Sequence, residues 1–154
     1  MTQVISRDIP LAEITLRKYE KPFELGRREL VRKLCLSTGL LQPGDSRDVI
    51  VDIFYVLLHA KRERKELSSE NIQQLVMESR KDAKAVMQGI AASNIRRQLK
   101  RLRDMFLVEK VRNKYRICEH DAISKIFEEK IEQYLLASVL GRVKDYVSMV
   151  DKEF

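Results

Sequence analysis

The sequence predicts a mainly α fold with a small β-hairpin, an α+β class. Three observations lead there. Only five glycines and three prolines interrupt 154 residues, which suits long helices better than many strands. Apolar residues recur at three- and four-residue spacing through most of the chain. Two short alternating runs with a turn between them occur only within residues 106–118. Hydrophobic residues make up 44% of the chain, enough for a real core.

In the first twenty residues Ile14, Leu16 and Lys18 alternate loosely with Thr15, Arg17 and Tyr19, which fits a short strand or an extended arm. Pro22 stands where a helix can begin. Leu25, Leu30, Leu34 and Cys35 then recur at near-helical spacing up to Gly39, placed as a C-cap. Gln42-Pro43-Gly44-Asp45 is the strongest turn in the sequence, so a boundary is drawn after residue 44. This divides the chain into an N-terminal arm and helix (1–44), a main domain (45–118) and a C-terminal helix (119–154).

Asp45 or Ser46 is expected to cap the next helix, with Asp48 in its first turn. Val49, Ile50, Ile53, Phe54, Leu57 and Leu58 give it one broad apolar face. Ser68 caps a second helix whose inward stripe is Ile72, Leu75 and Val76. Residues 80–89 either extend that helix or form a loop. Ser93 is placed to cap a third helix, in which Ile95, Leu99 and Leu102 face inward. The runs Phe106–Val111 and Tyr115–Cys118 make an antiparallel hairpin, with Asn113 suited to a positive φ in the turn.

The order helix, helix, helix, hairpin resembles the winged helix-turn-helix family of prokaryotic and archaeal transcription regulators. The residues that carry the resemblance are Ser93, Ile95, Leu99 and Leu102 in the helix. Phe106-Leu107-Val108-Glu109-Lys110 follows in the outgoing strand and Tyr115-Arg116-Ile117 in the return strand. Two features depart from the pattern. Phe106 stands where the family has glycine, and residues 80–92 exceed the usual short turn between the second and third helices. The resemblance implies a winged helix-turn-helix core with an N-terminal appendage and a long C-terminal helix. It also implies double-stranded DNA as the partner, in transcription regulation.

Charge supports the same expectation without the family. The formal net charge is +7, a weak signal by itself. Its distribution says more: residues 80–116 carry twelve Lys/Arg and three Asp/Glu, a net of +9, and the remainder nets −2. An α-helix fits the major groove with its N-terminal half at the base edges. Asn94, Arg97, Gln98 and Arg101 are therefore the candidate readers on helix 93–104. Ser93 is a candidate for a phosphate. Arg96, Lys100 and Arg103 track the backbone or lie on a solvated face. In the wing, residues 107–118, Arg112 and Lys114 reach the minor groove or the phosphates.

The segment after Asp121 keeps a three-and-four rhythm through Ile123, Phe127, Ile131, Tyr134, Leu135 and Val139 and on to Val150. It either folds back on the main domain or pairs with its copy. A homodimer through these residues is the favoured expectation.

No catalytic motif is present, and neither an enzyme, a cofactor nor a metal site is expected. Cys35 and Cys118 lack CxxC spacing, and His59 and His120 stand alone. Asp48/Asp52 and Glu128/Glu129/Glu132 read as helix-surface charges. The first ten residues lack an apolar signal core and place Asp8 early, and no run reaches the ~20 apolar residues of a membrane span. A cytoplasmic, soluble protein with reduced thiols is expected, and no small-molecule effector can be named. The alternative functions are a winged-helix protein-interaction module, such as an accessory factor of a transcription or replication assembly, and a binder of structured RNA.

Overall fold

A computed structural model describes residues 8–154, which form a mainly helical fold with one two-stranded antiparallel sheet. Residues 8–26 run as an extended arm without a strand. The arm crosses the end of α1 (Arg27–Ser37), where the Arg17 amide donates to Ser37 O and its guanidinium donates to Leu36 O and Leu41 O. A cation thus satisfies carbonyls that the helix end leaves free. Gly39 follows with φ +77, the left-handed position expected of it. The arm passes so close that a Cβ on Gly39 would sit 2.7 Å from Thr15 Cβ. Val31, Cys35 and Leu36 face inward, whereas Leu30, expected inside, is about half exposed.

The centre of the molecule is α2 (Val49–Arg62), which is apolar nearly all round because α1, α3 and α4 surround it. Its N-cap residue is Asp48 rather than Asp45 or Ser46. Asp45 instead accepts the amide of Arg47 at 2.8 Å and shapes the preceding turn. In α3 (Ser69–Asp82) the Ser68 hydroxyl accepts the amide of Asn71, the expected cap. Ile72 and Val76 are buried; Leu75, expected with them, is partly exposed at the edge of a surface cleft. Residues 83–91 form a loop and do not extend the helix. In α4 (Ala92–Asp104), Ile95, Leu99 and Leu102 are fully buried as the spacing predicts, worth roughly 2 kcal/mol each.

Strands β1 (Val108–Val111) and β2 (Lys114–Ile117) pair antiparallel, with Val111 opposite Lys114. Arg112 and Asn113 between them both have positive φ, so the turn has two residues and Lys114 already belongs to the strand. Leu67, between α2 and α3, bridges to Tyr115 by two backbone hydrogen bonds and docks the hairpin on the helices. One hydrophobic cluster joins α1, the Leu40–Leu41 turn, all three central helices and the hairpin, so the core runs through the expected boundary at residue 44.

The C-terminal segment is a continuous rod. It begins as α5 (Ile123–Ile126), widens to a π-helix over Phe127–Leu136 and returns to α-helix in α6 (Ala137–Glu153). The wider π-helical turn makes the buried residues step by five, Ile126 then Ile131, rather than by three and four. Ile131 is 0% exposed and Ile123 and Phe127 are half-buried, so this part folds back on its own chain. Ile131, expected in a seam between copies, is instead buried within its own chain. Tyr134 is exposed, Leu135 and Val139 half-buried, and every residue from Leu140 onward exposed. Among the described residues no helix is long and apolar enough to cross a membrane.

Candidate nucleic-acid interface

The inward stripe of Ile95, Leu99 and Leu102 fixes the rotation of α4 and so decides which polar residues face out. Ser93, Arg96, Arg97, Lys100 and Arg103 are exposed. Ser93 is not the cap it was expected to be: Ala91 holds that position without a side-chain bond, and Ser93 lies in the first helical turn. Among the described residues, Lys100 is the one outward cation that is paired, with Asp104 at 3.0 Å one turn on. That exposed pair is worth a few tenths of a kcal/mol.

Asn94, Gln98 and Arg101 form a different set. Asn94 donates to Gly89 O at 2.6 Å and accepts from Gln98 at 3.1 Å. Gln98 in turn accepts from Arg101, whose other amino group donates to Leu40 O at 2.8 Å. This flank faces the turn after α1 across a cleft, and these three side chains are hydrogen-bonded within the chain. Of the four expected base readers, only Arg97 stands free on the outer face.

The opposite flank faces the hairpin. Lys100 and Arg103 share a shallow cleft of about 430 Å³ with Lys110 of β1. Glu109 in that cleft is occupied: Arg116 Nε donates to it at 2.6 Å, and this bond with its charge raises the pKa of Arg116. Arg116 therefore serves the sheet. Arg112, in the turn, and Lys114, the first residue of β2, are exposed at the tip of the hairpin.

Phe106 makes the corner between α4 and β1 at φ +63, the conformation for which the family pattern keeps glycine. Its amide donates to Arg103 O and the next amide to Leu102 O, which ends the helix cleanly. Burial pushes the Cys118 thiol up to about 11, and its Sγ donates to Phe106 O at 3.0 Å.

Between α1, α2 and α3 lies a cluster that the sequence reading missed. Asp48 and Asp52 are not surface charges. Asp52 is 0% exposed and accepts from Arg80 Nη1 at 2.7 Å, Arg28 Nε at 2.9 Å and Ser79 Oγ at 2.8 Å. Asp48 accepts from Arg80 at 2.9 Å and Arg28 at 3.2 Å. Arg80 is itself fully buried and also donates to Val86 O in the loop before α4. It belongs to the core, although its charge was counted towards the basic surface. The knot joins α1, α2, α3 and that loop, and thereby sets where α4 begins. Its only signal in the sequence was a carboxylate in the middle of the apolar run 49–58.

Among the described residues no group of His, Cys, Asp and Glu is placed to hold a metal ion. No protein-family model matches the chain, and no curated protein or solved structure matches it either.

Proposed function

We propose that the chain is a DNA-binding transcription regulator on a winged helix-turn-helix scaffold. The observation that carries this reading is the unobstructed basic surface from Arg96 and Arg97 through Lys100 and Arg103 to the hairpin's Lys110, Arg112 and Lys114. Element order supports it too, with Leu67 bridging to Tyr115 as a short first strand would in a winged domain. In this reading α4 enters the major groove and Arg97 reads a base edge, with guanine as its natural bidentate partner. Arg96, Lys100 and Arg103 follow the backbone. The strands span only about 13 Å, so the hairpin tip meets one or two phosphates.

The protein acts as a homodimer in this proposal, joined through α6. Leu136, Leu140, Val143, Val147 and Val150 recur at alternating four and three residues, a coiled-coil seam, and the last four are about half exposed in the single chain. Two copies would present their α4 helices about one DNA turn apart, ~34 Å, to a pseudo-palindromic site.

The test is a polarisation titration with random and selected duplexes at two salt concentrations. Arg97→Ala removes sequence preference. Lys114→Ala weakens every duplex alike and flattens the salt dependence by about one phosphate contact. Equal effects of both changes on all sequences would reject the assigned roles.

A second reading, a winged-helix interaction module, is favoured by one feature. An apolar groove of about 440 Å³ lies between the arm and α1, lined by Tyr19, Phe23, Leu25, Leu30 and Leu58. Tight capture of a protein with no duplex affinity at low salt selects that reading.

A further inference from the structure

We infer that the cleft between the 40–47 turn and α4 seats a backbone phosphate of duplex DNA, held by Arg47 beside the base-reading Arg97. The inference rests on the DNA-binding reading above and extends it to the N-terminal part of the chain.

The cleft has a volume of about 600 Å³, with Leu41, Asp45 and Arg47 on one wall and Arg97, Gln98 and Arg101 on the other. Its walls are fixed by the chain itself. Arg101 ties α4 to Leu40 O, the Asn94–Gln98–Arg101 chain of hydrogen bonds runs along that flank, and Asp45 fixes the turn by accepting the Arg47 amide. Arg47 and Arg97 are left exposed. Neither takes part in an ion pair among the described residues. Asp45 is the one carboxylate on the cleft wall, so cations prevail there.

The Arg47 fork on the wall of a rigid cleft suits a tetrahedral anion, because a guanidinium offers paired N–H donors to phosphate oxygens, and the net positive lining favours it. The site is open, and water and salt would leave a free anion weakly held. A duplex differs because it delivers a fixed row of phosphates and releases condensed counterions as they are neutralised. Geometry supports the same ligand. A helix in the major groove has a phosphate strand on each side, across a width of about 12 Å. One flank of α4 faces the hairpin, with Arg103 and Lys110; the other faces this cleft, with Arg47. Each groove wall thus meets its own cations, and the turn after α1 acts as a second clamp opposite the wing.

The test uses the full chain and duplexes of matched and random sequence. Arg47→Ala should weaken both by roughly 3- to 10-fold and reduce the slope of log K against log salt by about 0.9. Its thermal midpoint should be unchanged, since the side chain is exposed and unpaired. Arg47→Lys should retain the slope, and Lys152→Ala at the far end of α6 should alter nothing. Wild-type affinity and slope in Arg47→Ala, alongside weakened binding by Lys114→Ala, would overturn the clamp and leave the DNA reading standing. Loss of affinity confined to the matched sequence would overturn it as well, because a phosphate contact carries no sequence information. Absence of any duplex binding by the wild type sinks both ideas together.

Discussion

The rings of Phe106 and Tyr134 meet edge to face, with centroids 5.9 Å apart and planes at 82°. This contact joins the corner after α4 to the C-terminal rod. It also bears on a cost, since a left-handed residue with a Cβ is about 1–2 kcal/mol worse than glycine there. The pair offsets part of that strain with an aromatic contact worth about 1 kcal/mol. Tyr134→Ala should therefore cost about 1 kcal/mol in the wild type and close to nothing in a Phe106→Gly background. Urea unfolding of the four chains measures this, and equal costs in both backgrounds would disprove the coupling.

The ion-pair knot makes a stronger prediction. Asp52→Leu leaves Arg80 buried without its nearest carboxylate, and Arg80→Met takes from Asp52 one of its two cations. Each should cost about 3–5 kcal/mol. The double change Asp52→Leu with Arg80→Met removes both charges and should cost less than either alone. A double variant whose loss equals the sum of the singles would show that the two side chains do not act together.

Acid should loosen the same knot. Burial works to raise the Asp48 carboxyl, but hydrogen bonds and charge from Arg80 and Arg28 outweigh it and hold the group below its ordinary value. A folded-state value below the unfolded one, about 3.9, stabilises the protein fully above that pH. The contribution is lost as pH falls through the lower folded value. Unfolding free energy should thus drop below about pH 4, and Asp48→Asn should be weaker near neutrality with a flatter acid limb. An acid limb as steep as the wild type's in Asp48→Asn would remove Asp48 from the account.

Gly39→Ala tests the arm. The left-handed φ and the 2.7 Å approach of Thr15 act together, so a loss of roughly 2 kcal/mol is expected. Thr15→Gly removes the nearest clashing atom and should restore part of it. No rescue would mean that the arm does not press on this turn.

Neither cysteine should react with a thiol reagent in the native protein near neutral pH. Burial pushes Cys35 up to about 12 and Cys118 up to about 11, so thiolate is scarce at both. Both should label rapidly in concentrated guanidinium chloride. Fast labelling of native Cys118 would contradict its seat against Phe106 O.

Local signals were legible in the sequence. Ser68, the stripe of Ile95, Leu99 and Leu102, Gly39 and the positive φ of Asn113 work through neighbours within a few residues, and each stands where its chemistry predicts. What escaped depends on partners far along the chain. Asp52 reads as a surface charge until Arg28 and Arg80 arrive from 24 and 28 residues away. Arg101 reads as a free cation until Leu40, 61 residues earlier, accepts a hydrogen bond from its guanidinium. The rod shows a third kind of difference. Its apolar residues fit a 3.6-residue period, yet the π-helical turns re-phase them, burying Ile131 and turning Tyr134 outward.

The threading of one salt-bridged knot through α1, α2 and α3 has a practical consequence for protein engineering. A fragment cut at the Pro43–Gly44 turn would part Asp48 and Asp52 from Arg28 and leave two buried acids sharing the one cation Arg80. Grafting the basic helix and hairpin onto another protein therefore means carrying the chain from Arg17 onward, since the modularity suggested by that turn is only apparent.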